Sequence, residues 1–209
     1  MSKQLFSQPL LYLIATKTLV PGRSLVDTVA EAIRGGVDVV QLREKDMLKG
    51  QVIALAKEMS SIVKQKGKLL LINHHLEAAL EAGADGVHLG RKGPTIREAR
   101  EALGPGAIIG ASVHDLEEAR NAVEEGADYL LVSHIFPTDS KPGAPPKGLE
   151  LLQRVLYNSS IPVIALGGIN RNNIQLVAEA GCPRAAVMSA ILTAENPRET
   201  AKSLKEMLL

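Results

Sequence analysis

AIRGGVDVVQL (residues 32–42), ALEAGADGVHL (79–89), AVEEGADYLLV (122–132) and VAEAGCPRAAVM (177–188) are four versions of one pattern: a helix-like stretch, a glycine, a short link and an apolar strand. The shared glycines, Gly36, Gly83, Gly126 and Gly181, lie 47, 43 and 55 residues apart. Each interval is too long for one compact strand–helix unit and about right for two. A second set of strands fills the intervals: KLLLIN (68–73), AIIGAS (107–112) and IPVIAL (161–166), with LLYLIA (10–15) ahead of the first. Eight strands result, most of them continuously apolar, as strands covered on both faces must be.

Between them run amphipathic segments such as SLVDTVAEAIRG (24–35), GQVIALAKEMSSIVKQKG (50–67), TIREAREALG (95–104), DLEEARNAVEEG (115–126) and GLELLQRVLYN (148–158). Several open on Ser, Thr or Asp and close on Gly, which suit helix N-caps and C-terminal positions. The alternation predicts an α/β fold over residues 1–209, a single-domain (β/α)₈ TIM barrel, with an open doubly wound sheet as the alternative. The even repeat favours closure, since each pair of units then occupies an equivalent quarter of a ring.

With 45% hydrophobic residues in 209, the chain has apolar material for one sizeable core. Lys and Arg number 24 against 23 Asp and Glu, and aromatics make up 2%, so neither a basic footprint nor a stacking platform is offered to nucleic acid. No long apolar span and no cleavage site open the chain, and the single Cys182 cannot form an internal disulfide. A cytoplasmic protein is expected, without membrane or nucleic-acid partners and with homo-oligomerisation left open; Cys182 reads as a buried structural thiol.

A barrel of this kind carries its active site at the C-terminal strand ends. In QLREK (41–45), alternation puts Gln41, Arg43 and Lys45 on one face, a set suited to an anionic ligand. Asn73 ends the third strand, Ser112 the fifth, and Thr138 and Lys141 follow the sixth on PTDSKPGAPPK (137–147), a segment read as a lid. Gly167 and Gly168 after strand seven, with Met188 and Ser189 after strand eight, occupy the usual phosphate-binding loops, and a phosphorylated small molecule is implied. Five histidines without a His-x-His or HExxH spacing give no metal site.

In order along the chain, QLREK, IN (72–73), GADGVHLG (83–90), ASVHDLEEA (111–119), FPTDSK (136–141), IPVIALGGI (161–169) and AAVMSAI (185–191) resemble the thiamine phosphate synthases and their TenI-type thiazole tautomerase relatives. The resemblance runs from about Leu10 to the last helix. Synthases of this kind join a pyrimidine diphosphate to a thiazole phosphate, and their pattern holds Mg²⁺ on aspartates in Asn-Asp after strand three and Gln-x-Asp after strand four. Here those places read Asn73-His74 and Arg91-Lys92-Gly93. The sixth strand ends in Ser133-His134, similar to the Gly-His pair of the tautomerases and unlike the Gly-Pro-like pair of the synthases.

The resemblance therefore implies an isomerase. A thiazole tautomerase would move a proton within a carboxythiazole phosphate, with His134 as general acid and base, because an imidazole near neutrality both takes and returns a proton. Arg43 would neutralise the substrate carboxylate, and backbone N–H groups at Gly168 and Ser189 would hold the phosphate. No metal or organic cofactor is called for. Whether His74 or His114 shares the proton work stays open. The alternatives are a thiamine phosphate synthase and a non-catalytic, regulatory phosphometabolite-binding relative.

Overall fold

Residues 6, 8–140 and 143–209 are described by a computed structural model. The strands are β1 (Leu10–Ala15), β2 (Val39–Leu42), β3 (Leu69–Asn73), β4 (Gly86–Leu89), β5 (Ile108–Val113), β6 (Tyr129–Ser133), β7 (Val163–Leu166) and β8 (Arg184–Val187). All neighbours pair in parallel and β8 closes on β1, a (β/α)₈ barrel. The helices that matter below are α1 (Leu25–Arg34), α2 (Lys49–Gln65), α3 (Leu76–Glu81), α4 (Ile96–Leu103), α5 (Leu116–Glu124), α6 (Gly148–Asn158), α7 (Ile174–Glu179), the short α8 (Ser189–Leu192) and α9 (Pro197–Glu206). Ser24, Thr95 and Asp115 cap α1, α4 and α5, each accepting a bond from the N–H three residues on.

The four repeat glycines all sit at positive φ, between 57° and 109°, where a side chain is strained. In three of the four repeats an aspartate follows two residues later and locks the next strand to its neighbour. The carboxylates of Asp38, Asp85 and Asp128 accept the N–H groups of Leu11, Leu70 and Ile109 at 2.8–3.1 Å. Each aspartate's own N–H returns a bond to the carbonyl of the same residue. In the fourth repeat Pro183 stands in that place, and its carbonyl accepts the Leu10 N–H at 2.9 Å.

Two cores follow from strand alternation. Outward residues such as Leu11, Leu13, Val40 and Leu70 pack under the helices, with Cys182 buried among them as expected. Inward residues, among them Leu10, Tyr12, Val39, Leu71, Tyr129, Leu131 and Ile164, fill the barrel, joined by Phe6, whose ring stacks on Tyr129 at 4.6 Å. Gly110 faces Tyr129 across β5 and β6, and a β-carbon there would overlap the tyrosine ring; small opposite large is how this interior fills. Among the described residues no helix is long and apolar enough to cross a membrane.

Candidate active site

The C-terminal strand ends surround a cavity of about 540 Å³, within the roughly 300–1,000 Å³ typical of small-molecule sites. Every strand contributes an inward side chain: Ile14, Gln41, Asn73, His88, Ser112, Ser133, Leu166 and Ala186. A hollow of about 110 Å³ lies between α5 and α6, away from the strand ends. Gln41, Arg43, Lys45, Asn73, Ser112, Thr138, His134, Gly167, Gly168, Met188 and Ser189 all line the larger cavity, so the expected site residues converge. Lys141 lies outside the described residues.

The glycines after β7 have a structural reason of their own. Gly167 and Gly168 are at φ 105° and 66°, and β-carbons there would overlap His134 and the Pro137 carbonyl. The turn presses against the segment that follows β6. Phe136 N–H donates to the Gly167 carbonyl, while Asn170 and Asn173 side chains donate to that of Gly168. The short helix α8 begins at Ser189, beside this turn on the cavity wall.

Charge in the cavity has one sign. Among the described residues Arg43, Lys45, Arg91 and Lys92 line it, and no Asp or Glu does. Arg91 pairs with Glu118, whereas Arg43, Lys45 and Lys92 form no ion pair among the described residues. Burial lowers the Arg43 pKa and Glu44 only partly offsets this, so its charge is poorly compensated.

The Mg²⁺ implied by the synthase pattern does not fit these residues. Mg²⁺ takes oxygen ligands in near-octahedral geometry, usually including carboxylates. His74, at φ 61°, turns its ring over the β4 loop, where a β-carbon on Gly93 would stand 2.5 Å from its Nδ1. The imidazole thus fills the space a side chain at position 93 would need. Its buried Nδ1 has no partner, and burial, then His75, Arg43 and Lys45, lower its pKa. Among the described residues no three of His, Cys, Asp or Glu converge as a metal site.

The histidines divide by partner. His134 is buried, its Nε2 donates to the Ala144 carbonyl at 3.3 Å, and its own carbonyl accepts the Lys147 N–H at 2.8 Å. It anchors the segment expected to act as a lid, and only its unpartnered Nδ1 is left for other work. His88 bridges Tyr129 at 2.9 Å and Ser112 at 2.8 Å, and burial pushes its pKa down to about 3. His114 bridges Glu118 at 2.9 Å and Ser133 at 3.3 Å.

The expected set omitted His88, Arg91, Lys92 and Ser133, which also line the cavity, as do His74 and His114, whose part in the chemistry the sequence left open. Alternation along β4 and β6 carried the signal for His88 and Ser133, since both share the inward face of their strands. Arg91 and Lys92 stood in the motif where metal ligands were absent; the gain of positive charge there was as informative as the loss of negative.

Residues 11–191 match the family described as thiamine monophosphate synthase. A thiamine-phosphate synthase from Syntrophomonas wolfei is 41% identical over 198 residues, covering 94% of this chain and 95% of that protein. One from Halalkalibacterium halodurans is 40% identical over 95% of this chain and 94% of its own length. Among solved structures, thiamine phosphate pyrophosphorylase from Pyrococcus furiosus superposes with a TM-score of 0.89 at 36% identity, covering 98% of this chain and 97% of that one. These relatives are named as synthases and a pyrophosphorylase, none as a tautomerase, which overturns the expected isomerase and thiazole tautomerase. The residues weighed for that expectation, a histidine in place of Pro and two missing aspartates, are local, and one of them, His134, serves as a loop anchor. The chain belongs to the thiamine monophosphate synthase family.

Proposed function

We propose that this chain is a transferase of the thiamine-phosphate synthase kind, joining a pyrimidine diphosphate to a thiazole phosphate. One observation carries the reading: a cavity at the strand ends, large enough for a small heterocyclic ligand, whose wall carries four cations and no carboxylate among the described residues. Joining the two molecules expels diphosphate, and negative charge builds on the departing group. Arg43, Lys45, Arg91 and Lys92 are the groups to hold it, by charge-assisted hydrogen bonds in a partly dry site. The turn at Gly167 and Gly168 with Met188 and Ser189 receives the second phosphate, while Gln41, Asn73, Ser112 and Thr138 address the rings. A buried, unpaired Cys182 suits a reducing cytoplasm.

A second reading rests on the misfit to Mg²⁺: a relative that binds phosphorylated metabolites without turning them over. Mixing purified protein with both substrates, with and without Mg²⁺, separates the two. Formation of thiamine phosphate supports the transferase. Binding of both substrates with no product at any Mg²⁺ concentration selects the second reading, and failure to bind either overturns both.

A further inference from the structure

Ser133, His114 and Glu118 have no part in the coupling reaction as read above, yet their side chains stand in one line. Ser133 Oγ lies 3.3 Å from His114 Nε2, and His114 Nδ1 lies 2.9 Å from Glu118 Oε2. The backbone sets this line. Val113 pairs with Val132, so the residue that follows β5 comes beside the last residue of β6. Glu118, in the first turn of α5, reaches back and accepts the His114 backbone N–H at 2.8 Å as well as the ring. Its other oxygen, Oε1, accepts from Arg91 Nε at 2.8 Å. A carboxylate held from both sides keeps the imidazole in one orientation.

The protons run in one direction along the line. Burial raises the Glu118 pKa, but bonds from His114 and Arg91 outweigh it and hold the carboxyl below its ordinary value. An ionised carboxylate only accepts, so the ring proton sits on His114 Nδ1 and the Nε2 lone pair faces Ser133. Ser133 Oγ therefore donates to a base that is backed by a negative charge. Those are the roles of a nucleophile, a general base and an orienting carboxylate, a set recognised by geometry and not by sequence position. A 3.3 Å contact is long, as such contacts often are before a substrate tightens them. Ser133 and His114 both line the cavity, which they share with Arg43, Lys45 and Lys92.

We propose that Ser133, His114 and Glu118 form a nucleophilic triad that hydrolyses a small carboxylic ester bearing a negative charge. Ser133 Oγ bonds to the ester carbonyl carbon as its proton passes to His114 Nε2. The negative oxygen that results is drawn to the cations of the wall. The ester C–O bond then breaks, and the leaving alkoxide takes the proton from His114. Water repeats the sequence on the acyl-serine: its hydroxyl departs in the free acid, and its proton returns through His114 to Ser133 Oγ. Glu118 and Arg91 act through His114 as positioning residues. The activity needs neither substrate of the coupling reaction.

A fluorophosphonate, which bonds to an activated serine and expels fluoride, is the first probe, applied to the full chain with the labelled site mapped by peptide mass spectrometry. Ser133 should carry the label. Ser133→Ala should abolish it, and His114→Gln should slow it at least about a hundredfold with unchanged melting. Glu118→Gln keeps an acceptor for Nδ1 and removes the charge, so the midpoint of labelling rate against pH should move down by about one unit. The parent should hydrolyse mono-4-nitrophenyl adipate at least about fivefold faster than 4-nitrophenyl acetate, each relative to its spontaneous rate. Absence of label at Ser133, label on lysine or histidine alone, equal rates with the two esters, or undiminished labelling in a folded His114→Gln overturns the proposal. Should His114→Gln fail to fold, an unmoved midpoint in Glu118→Gln overturns it. A chain that labels at Ser133 and makes no thiamine phosphate keeps the triad and loses the transferase reading.

Discussion

At the N-terminal end of the barrel Asp38 meets Lys68 at 3.0 Å and Lys205 at 2.6 Å, and Asp128 meets Arg100 at 2.7 Å; at the C-terminal end Arg43, Lys45 and Lys92 meet no carboxylate among the described residues. The same kinds of side chain serve two purposes according to what faces them. Below, each carboxylate also accepts a strand N–H, so charge and backbone satisfy each other and the ring of strands is locked. Above, cations stand together around space, a costly arrangement for stability that a bound anion would relieve. Barrels of this kind tend to keep stability at the bottom and chemistry at the top, and here that division is written in the pairing of charge.

Cutting the lower network should have the largest effect. Asp38→Ala removes two partly buried ion pairs and one backbone acceptor, and is expected to lower the unfolding free energy by about 3 kcal/mol in urea denaturation. Inorganic pyrophosphate binding should stay within about twofold, and a large loss of binding would break the division.

Midway between the ends, His88 tests the interior. Its folded pKa of about 3 lies below the unfolded value near 6.5, so its contribution is whole above pH 6.5 and drains away as pH falls toward 3, where the unfolded chain binds the proton first. Between pH 7.5 and 5 the loss should be about 2 kcal/mol. His88→Asn should flatten that slope.

At the upper end Arg43→Ala should weaken pyrophosphate binding about tenfold to thirtyfold by calorimetry, roughly 1.5–2 kcal/mol. Melting should hold or rise slightly, since a half-desolvated cation is removed. The smallest effect concerns the metal. With His74 over the β4 loop and no carboxylate in the lining among the described residues, a chelator should change pyrophosphate affinity by less than about twofold. A large chelator effect would show a divalent ion in the upper cluster.

Much of the cavity lining was legible because strand alternation is a local rule. Gln41, Arg43 and Lys45 follow from period two, and Gly167, Gly168, Met188 and Ser189 from the place of their loops in a barrel. Function was harder to read. The exchange of two aspartates and the appearance of His134 pointed to proton transfer, whereas the chain as a whole matches proteins named thiamine-phosphate synthases. A histidine at a strand mouth has two nitrogens, and only coordinates reveal that one of those on His134 is already bound to the Ala144 carbonyl.

By itself the sequence determined the eight strands, their order and the inward set of side chains, because spacing and alternation are properties of neighbours along the chain. Tertiary structure alone decided which charges are paired, that His74 fills the space beside Gly93, and that Gln41, Tyr12, Tyr129, His88 and Ser112 share one line of hydrogen bonds. Those facts join residues up to 117 positions apart, and hydrogen-bond sense and charge compensation depend on distance in space, which no local pattern encodes.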